Sequence, residues 1–88
     1  MSALESSSVE PSSAHAAAAQ PLAAIRRRQL LSQRALAARA GVALSTIYLL
    51  EAGRTERVTF KVMRAVSDAL AVPPDSIAEF RRVIHAPQ

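Results

Sequence analysis

The chain has 88 residues, enough for one small domain and too few for two. Half of it is hydrophobic by count, but alanine supplies much of that share, and the absence of cysteine excludes a disulfide framework and a thiolate metal site. The net charge of +4 is uneven: residues 1–25 carry only Glu5 and Glu10, residues 26–57 set seven arginines against Glu51 and Glu56, and residues 58–88 are nearly balanced.

Residues 1–20 are rich in serine and alanine with almost no large apolar side chain. Such a segment cannot bury enough surface to offset the entropy of ordering, so a disordered tail is expected, with Ala14 to Ala19 partly helical. Pro21 suits the first turn of a helix, where its missing N–H is not needed. Leu22 and Ile25 then form an apolar stripe while Arg26, Arg27 and Arg28 take the other faces, which defines a first helix ending near Leu30. Leu31 enters the core.

Ser32 is an oxygen acceptor placed directly before a run of good helix formers, so it caps a second helix over Gln33–Ala40. Gly41 ends that helix in a left-handed backbone, and Val42 folds back as the apolar contact of the stop. A third helix runs from about Leu44 to Ala52, with Ile47 and Leu50 one turn apart on one face and Gly53 as its stop. The small Ala37 and Ala40 let the second and third helices cross closely at a steep angle, with Leu36, Val42, Ile47 and Leu50 between them.

Arg54 to Val58 form a polar loop. Thr59 caps a fourth helix in which Phe60, Met63, Val66 and Leu70 recur at helical spacing, so all four are expected to face the core, and the helix stops near Val72. Pro74 opens a fifth helix with Asp75 in its first turn, Ile77, Phe80 and Ile84 on its buried face, and Arg81, Arg82 and His85 near its C-terminal end. The expectation is an all-α, compact five-helix domain over residues 21–85, with tails at 1–20 and 86–88.

The second and third helices with their turn carry Ser32-Gln33, Leu36-Ala37, Gly41-Val42, Ser45-Thr46-Ile47, Leu50-Glu51 and Gly53-Arg54. This pattern resembles the helix-turn-helix of the phage repressor and Cro type, the xenobiotic-response-element family, and the likeness extends over roughly Leu22 to Phe80. It implies a lambda-repressor-like fold and a repressor-like, DNA-binding transcription regulator. Family members often have glycine where Leu30 stands.

The charge distribution agrees with a polyanion partner, most simply nucleic acid, although a solubilising surface is the plain alternative. By the resemblance, Gln33 and the start of its helix clamp a DNA phosphate; otherwise Gln33 only stabilises the helix. The positions that usually read bases fall on Ala43, Leu44, Ser45, Tyr48 and Leu49. None is an amide or guanidinium, so hydrogen-bonded readout is expected to be weak; Ser45 can bond a base or a phosphate, Tyr48 can reach a phosphate through its hydroxyl, and Ala43 and Leu44 can touch thymine methyls. Thr46 is expected mainly to pack, with a possible phosphate bond. Arg54 and Arg57 would each neutralise a phosphate, or else remain solvated loop charges. The resemblance also pairs Arg26 with Glu51 in a structural role.

Asp68, Asp75 and Glu79 are scattered and lack a neighbouring nucleophile or glycine-rich phosphate loop, so an enzyme reading has nothing to start from. No cofactor and no small-molecule substrate is expected, and His15 and His85 lie too far apart in sequence for a metal cluster. No apolar run reaches the roughly 18 residues that cross a bilayer, and the N-terminus lacks a basic signal start, which reads as a cytoplasmic protein. A homodimer is expected, since one short recognition helix covers few base pairs. The rival expectation is a protein-interaction module, such as an antitoxin-like or co-regulator domain, docking through Leu44 and Leu49; a nonspecific DNA binder is a further one.

Overall fold

The structure is a computed structural model that describes residues 18–85. Of the tails expected at 1–20 and 86–88, residues 1–17 and 86–88 lie outside those residues. Of the Ala14–Ala19 run only Ala18 and Ala19 are described, and neither is helical.

Five α-helices and one 3₁₀ turn make up the described chain: α1 (Leu22–Arg28), α2 (Gln33–Ala40), α3 (Leu44–Glu51), α4 (Phe60–Leu70), the turn Pro74–Ser76, and α5 (Ala78–Ile84). Ser32 accepts from Ala35 N–H at 3.0 Å and Thr59 from Val62 N–H at 3.2 Å, so α2 and α4 begin where their capping side chains place them.

Four helices end in the same way. At the end of α1, Leu30 N–H bonds Arg27 C=O and Leu31 N–H bonds Arg26 C=O; at α2 the pairs are Gly41 to Ala38 and Val42 to Ala37. At α3 they are Gly53 to Leu50 and Arg54 to Leu49, and at α4 Ala71 to Asp68 and Val72 to Ser67. Each is the paired-bond stop that needs one left-handed residue. Gly41 and Gly53 supply it with φ of 72° and 82°, while Leu30 and Ala71 adopt φ of 60° and 58° without glycine's freedom. The Leu30 side chain points into solvent, 92 % exposed.

The last helix starts later than the sequence predicts. Pro74 opens only a 3₁₀ turn, and Ile77 is extended (φ −97°, ψ 119°) before α5 begins. A parallel bridge explains the break: Gln20 N–H donates to Ser76 C=O at 2.9 Å and Ala78 N–H to Gln20 C=O at 2.7 Å. Pairing with Gln20 holds Ile77 out of helical geometry and drives its side chain into the core. The backbone at Gln20 is therefore tied to the domain, one residue ahead of the expected start.

Leu22, Ile25, Leu36, Ala37, Ile47, Leu50, Met63, Val66, Leu70, Ile77 and Phe80 form one buried cluster, with Leu31, Ala40, Val42, Val62 and Val83 packed on its edge. Two residues expected inside are not. Phe60 is 74 % exposed and Ile84 is 40 % exposed. Phe60 is the first residue of α4, and helical side chains lean toward the N-terminus, so its ring overhangs the helix end. Ile84 lies one turn past Phe80, beyond the edge of the cluster.

Polar contacts complete the packing. The Glu79 carboxylate, on a residue only 6 % exposed, accepts from Leu22 N–H at 2.8 Å and so serves the start of α1, where Pro21 offers no capping side chain. Gln29 Nε2 donates to Leu70 C=O at 2.8 Å, tying the end of α1 to the end of α4.

Candidate nucleic-acid interface

The two faces of α3 have opposite fates. Ile47 is fully buried and Leu50 is 2 % exposed, which anchors the helix against α2 and the core. At about 100° per residue, Leu44, Ser45, Tyr48 and Leu49 fall together on the opposite side. All four are exposed, as is Ala43, whose extended backbone opens the helix. Thr46 lies between the faces and is half-buried.

The orientation of this helix is set by one polar junction. Arg26 of α1 donates from Nε to Glu51 Oε2 at 2.5 Å and from Nη2 to Glu51 Oε1 at 3.0 Å, while its Nη1 bonds Leu31 C=O at 2.8 Å. Gln33 at the start of α2 donates from Nε2 to the same Glu51 Oε1 at 3.0 Å. One carboxylate at the end of α3 thereby holds three helices. Both charged side chains are 9 % exposed. The bonds to Glu51 raise the Arg26 guanidinium's pKa above its ordinary value against the opposing effect of burial, so the guanidinium stays charged at every pH a folded protein meets.

The Gln33 amide is thus engaged within the protein, and that bond uses one of the two N–H groups of its nitrogen. Sequence reasoning assigned Gln33 only to phosphate or to its own helix and missed Glu51 as its partner. Spacing of 18 residues carries no signal for such a contact.

Beyond α3 the chain turns back beside the exposed face. Thr46, Leu49, Leu50, Arg54, Arg57, Val58 and Val62 line a groove of ≈ 180 Å³ between α3, the following loop and α4. Arg54 and Arg57 therefore stand next to Leu49. Arg54 Nε lies 3.8 Å from Glu56 Oε1, a solvent-exposed pair of little energetic weight. Arg34 and Arg39 on α2 are exposed as well.

A family model described as a helix-turn-helix domain matches residues 17–80. The chain belongs to the helix-turn-helix domain family. No curated protein and no solved structure matches it. The membership agrees with the phage-repressor resemblance of the motif, and the helix-turn-helix is a DNA-binding motif in which the second helix is the one presented to the groove. In this helix-turn-helix domain the pair is α2 and α3, joined through Gly41 and Val42.

The structure brings Leu44, Ser45, Tyr48 and Leu49 onto one surface, sets Arg54 and Arg57 at its edge, and places Gln33 at the junction behind it. Glu79, which the sequence left without a role, acts at the start of α1, where it accepts from Leu22 N–H. Among the described residues, no helix is long and apolar enough to cross a membrane.

Proposed function

We propose that this helix-turn-helix domain is a sequence-dependent transcriptional regulator that lays α3 into the major groove of duplex DNA. The observation that carries the reading is the two-sided α3: its inner face is fixed by Ile47, Leu50 and the Glu51 junction, and its outer face is left uncovered beside Arg54 and Arg57. A rigid helix with one free face and flanking guanidiniums suits a groove bordered by phosphates. Arg54 and Arg57 contact the backbone. Gln33 adds a phosphate contact through its second amide N–H together with the first N–H groups of α2. A helix of eight residues reaches only a few base pairs, so the protein acts as a homodimer on paired half-sites.

A second reading rests on the apolar character of the same face, with Leu44 38 % and Leu49 47 % exposed: a protein partner docks there in place of DNA. A fluorescence-anisotropy titration separates the two, using fragments from the gene's own upstream region and a scrambled duplex over a range of salt. The regulator reading predicts a preference of at least ~1000-fold for one upstream fragment. Equal binding with a steep salt slope would mean phosphate contacts alone. No binding at low salt would transfer the function to the protein-docking reading, under which Leu44→Glu abolishes the protein complex.

A further inference from the structure

The outer face of α3 has an unusual chemistry for a groove-reading surface. Sequence discrimination in the major groove comes chiefly from amide, guanidinium or carboxylate groups that meet base edges in fixed donor and acceptor patterns. No such group stands on this face. The α3 sequence is LSTIYLLE, and its single charged residue, Glu51, is committed to Arg26 and Gln33. The hydroxyls of Ser45 and Tyr48 both donate and accept, so by themselves they distinguish bases poorly.

What remains is apolar: the Ala43 methyl, the Leu44 and Leu49 side chains, and the Tyr48 ring, the last 65 % exposed. Leu44 and Tyr48 are one turn apart, and Leu49 continues the strip toward the arginines. Base edges in the major groove offer one apolar feature, the pyrimidine C5-methyl of thymine. Pressed on guanine, an apolar strip would strip water from the N7 and O6 acceptors and leave them without partners, whereas on unmethylated cytosine or uracil it loses the methyl contact alone. The arginines beside the strip supply the charge complementarity that makes DNA its occupant.

Building on the DNA-binding reading above, we propose that α3 reads pyrimidine C5-methyl groups. Thymine is preferred at the contacted positions, 5-methylcytosine replaces it, and uracil and unmodified cytosine bind more weakly. The domain's occupancy of a site that contains cytosine at such a position then depends on methylation of that cytosine.

The test starts from duplexes enriched by the full chain from a random library, with the best one synthesised in thymine and deoxyuridine forms, and with cytosine or 5-methylcytosine at each sensitive thymine position. Loss of one contacted methyl weakens binding about fourfold, so two half-sites lose about tenfold or more on full uracil replacement. The cytosine form binds more weakly than the 5-methylcytosine form by a similar factor. The exposed Leu44→Ala variant, which leaves the core intact, brings the thymine-to-uracil ratio down toward that of a scrambled duplex. If the enriched duplex outcompetes the scrambled one yet its thymine and uracil forms bind alike, methyl readout is refuted and DNA recognition stands. Binding without enrichment also refutes it. If nothing binds even at low salt, the DNA-binding reading falls and takes this proposal with it.

Discussion

Removing the Glu51 carboxylate is the sharpest perturbation of the fold that the structure offers. In Glu51→Ala, Arg26 keeps its bond to Leu31 C=O but loses both carboxylate contacts, and Gln33 loses its acceptor. The guanidinium, on a residue 8 % exposed, is left charged and uncompensated, because an arginine's ordinary pKa lies far above any working pH. Breaking one partner of a buried pair costs about 3–5 kcal/mol, a large share of the roughly 5–10 kcal/mol that stabilises a domain of this size. Replacing both partners with apolar residues, Arg26→Met with Glu51→Leu, removes the stranded charge and recovers much of the loss. Urea unfolding followed by far-UV circular dichroism on Arg26→Met, Glu51→Leu and their combination yields the coupling energy, expected to be at least ~2 kcal/mol. A Glu51→Ala cost below ~1 kcal/mol, the range of exposed pairs, or additive single changes, would refute the view that this junction holds the three helices together.

Other substitutions test separate parts of the account. Leu30→Gly should raise stability by roughly 0.5–1 kcal/mol in the same unfolding assay, since the left-handed penalty of about 1–2 kcal/mol is removed and only part is returned as glycine's chain entropy; destabilisation would contradict the strain assigned to this turn. Glu79→Ala should cost about 1.5–3 kcal/mol and speed hydrogen exchange at the Leu22 amide, while Glu79→Gln, which keeps an acceptor, costs less. Arg57→Ala should leave stability unchanged, weaken binding to related and unrelated duplexes alike, and lower the salt slope by about one; a sequence-dependent loss would place Arg57 at a base edge instead.

The parts of the fold that could be read from sequence are those governed by local chemistry. Ser32 and Thr59 mark helix starts because a hydroxyl before a helix-forming run has a nearby N–H to accept from, and Gly41 and Gly53 mark stops because glycine alone reaches left-handed φ without strain. The equivalent stops at Leu30 and Ala71 carry no glycine, so only the resemblance hinted at the first and nothing at the second. The late start of α5 depends on Gln20, 57 residues from Ile77, and periodicity cannot register a contact at that range. Phe60 matched the spacing of the α4 stripe, yet its place on the first turn put the ring outside.

At the candidate interface the exposed face of α3 was legible, because the burial of Ile47 and Leu50 leaves Leu44, Ser45, Tyr48 and Leu49 outward by helical geometry alone. The junction behind it was less so. Gln33 and Glu51 meet through the crossing of α2 and α3, which is a tertiary result and leaves no mark on local sequence.

The most direct test of the central claim is an NMR titration of the isotope-labelled chain with an enriched duplex, following every backbone amide. Docking of α3 in the major groove predicts large shifts or line broadening at Gln33 and Arg34, across Ala43 to Leu49, and at Arg54 to Arg57, with little change in Met63 to Leu70 at the core. Changes centred on α4 or α5 with α3 unmoved, or no change at any duplex concentration, would contradict the assignment of α3 as the DNA-reading helix.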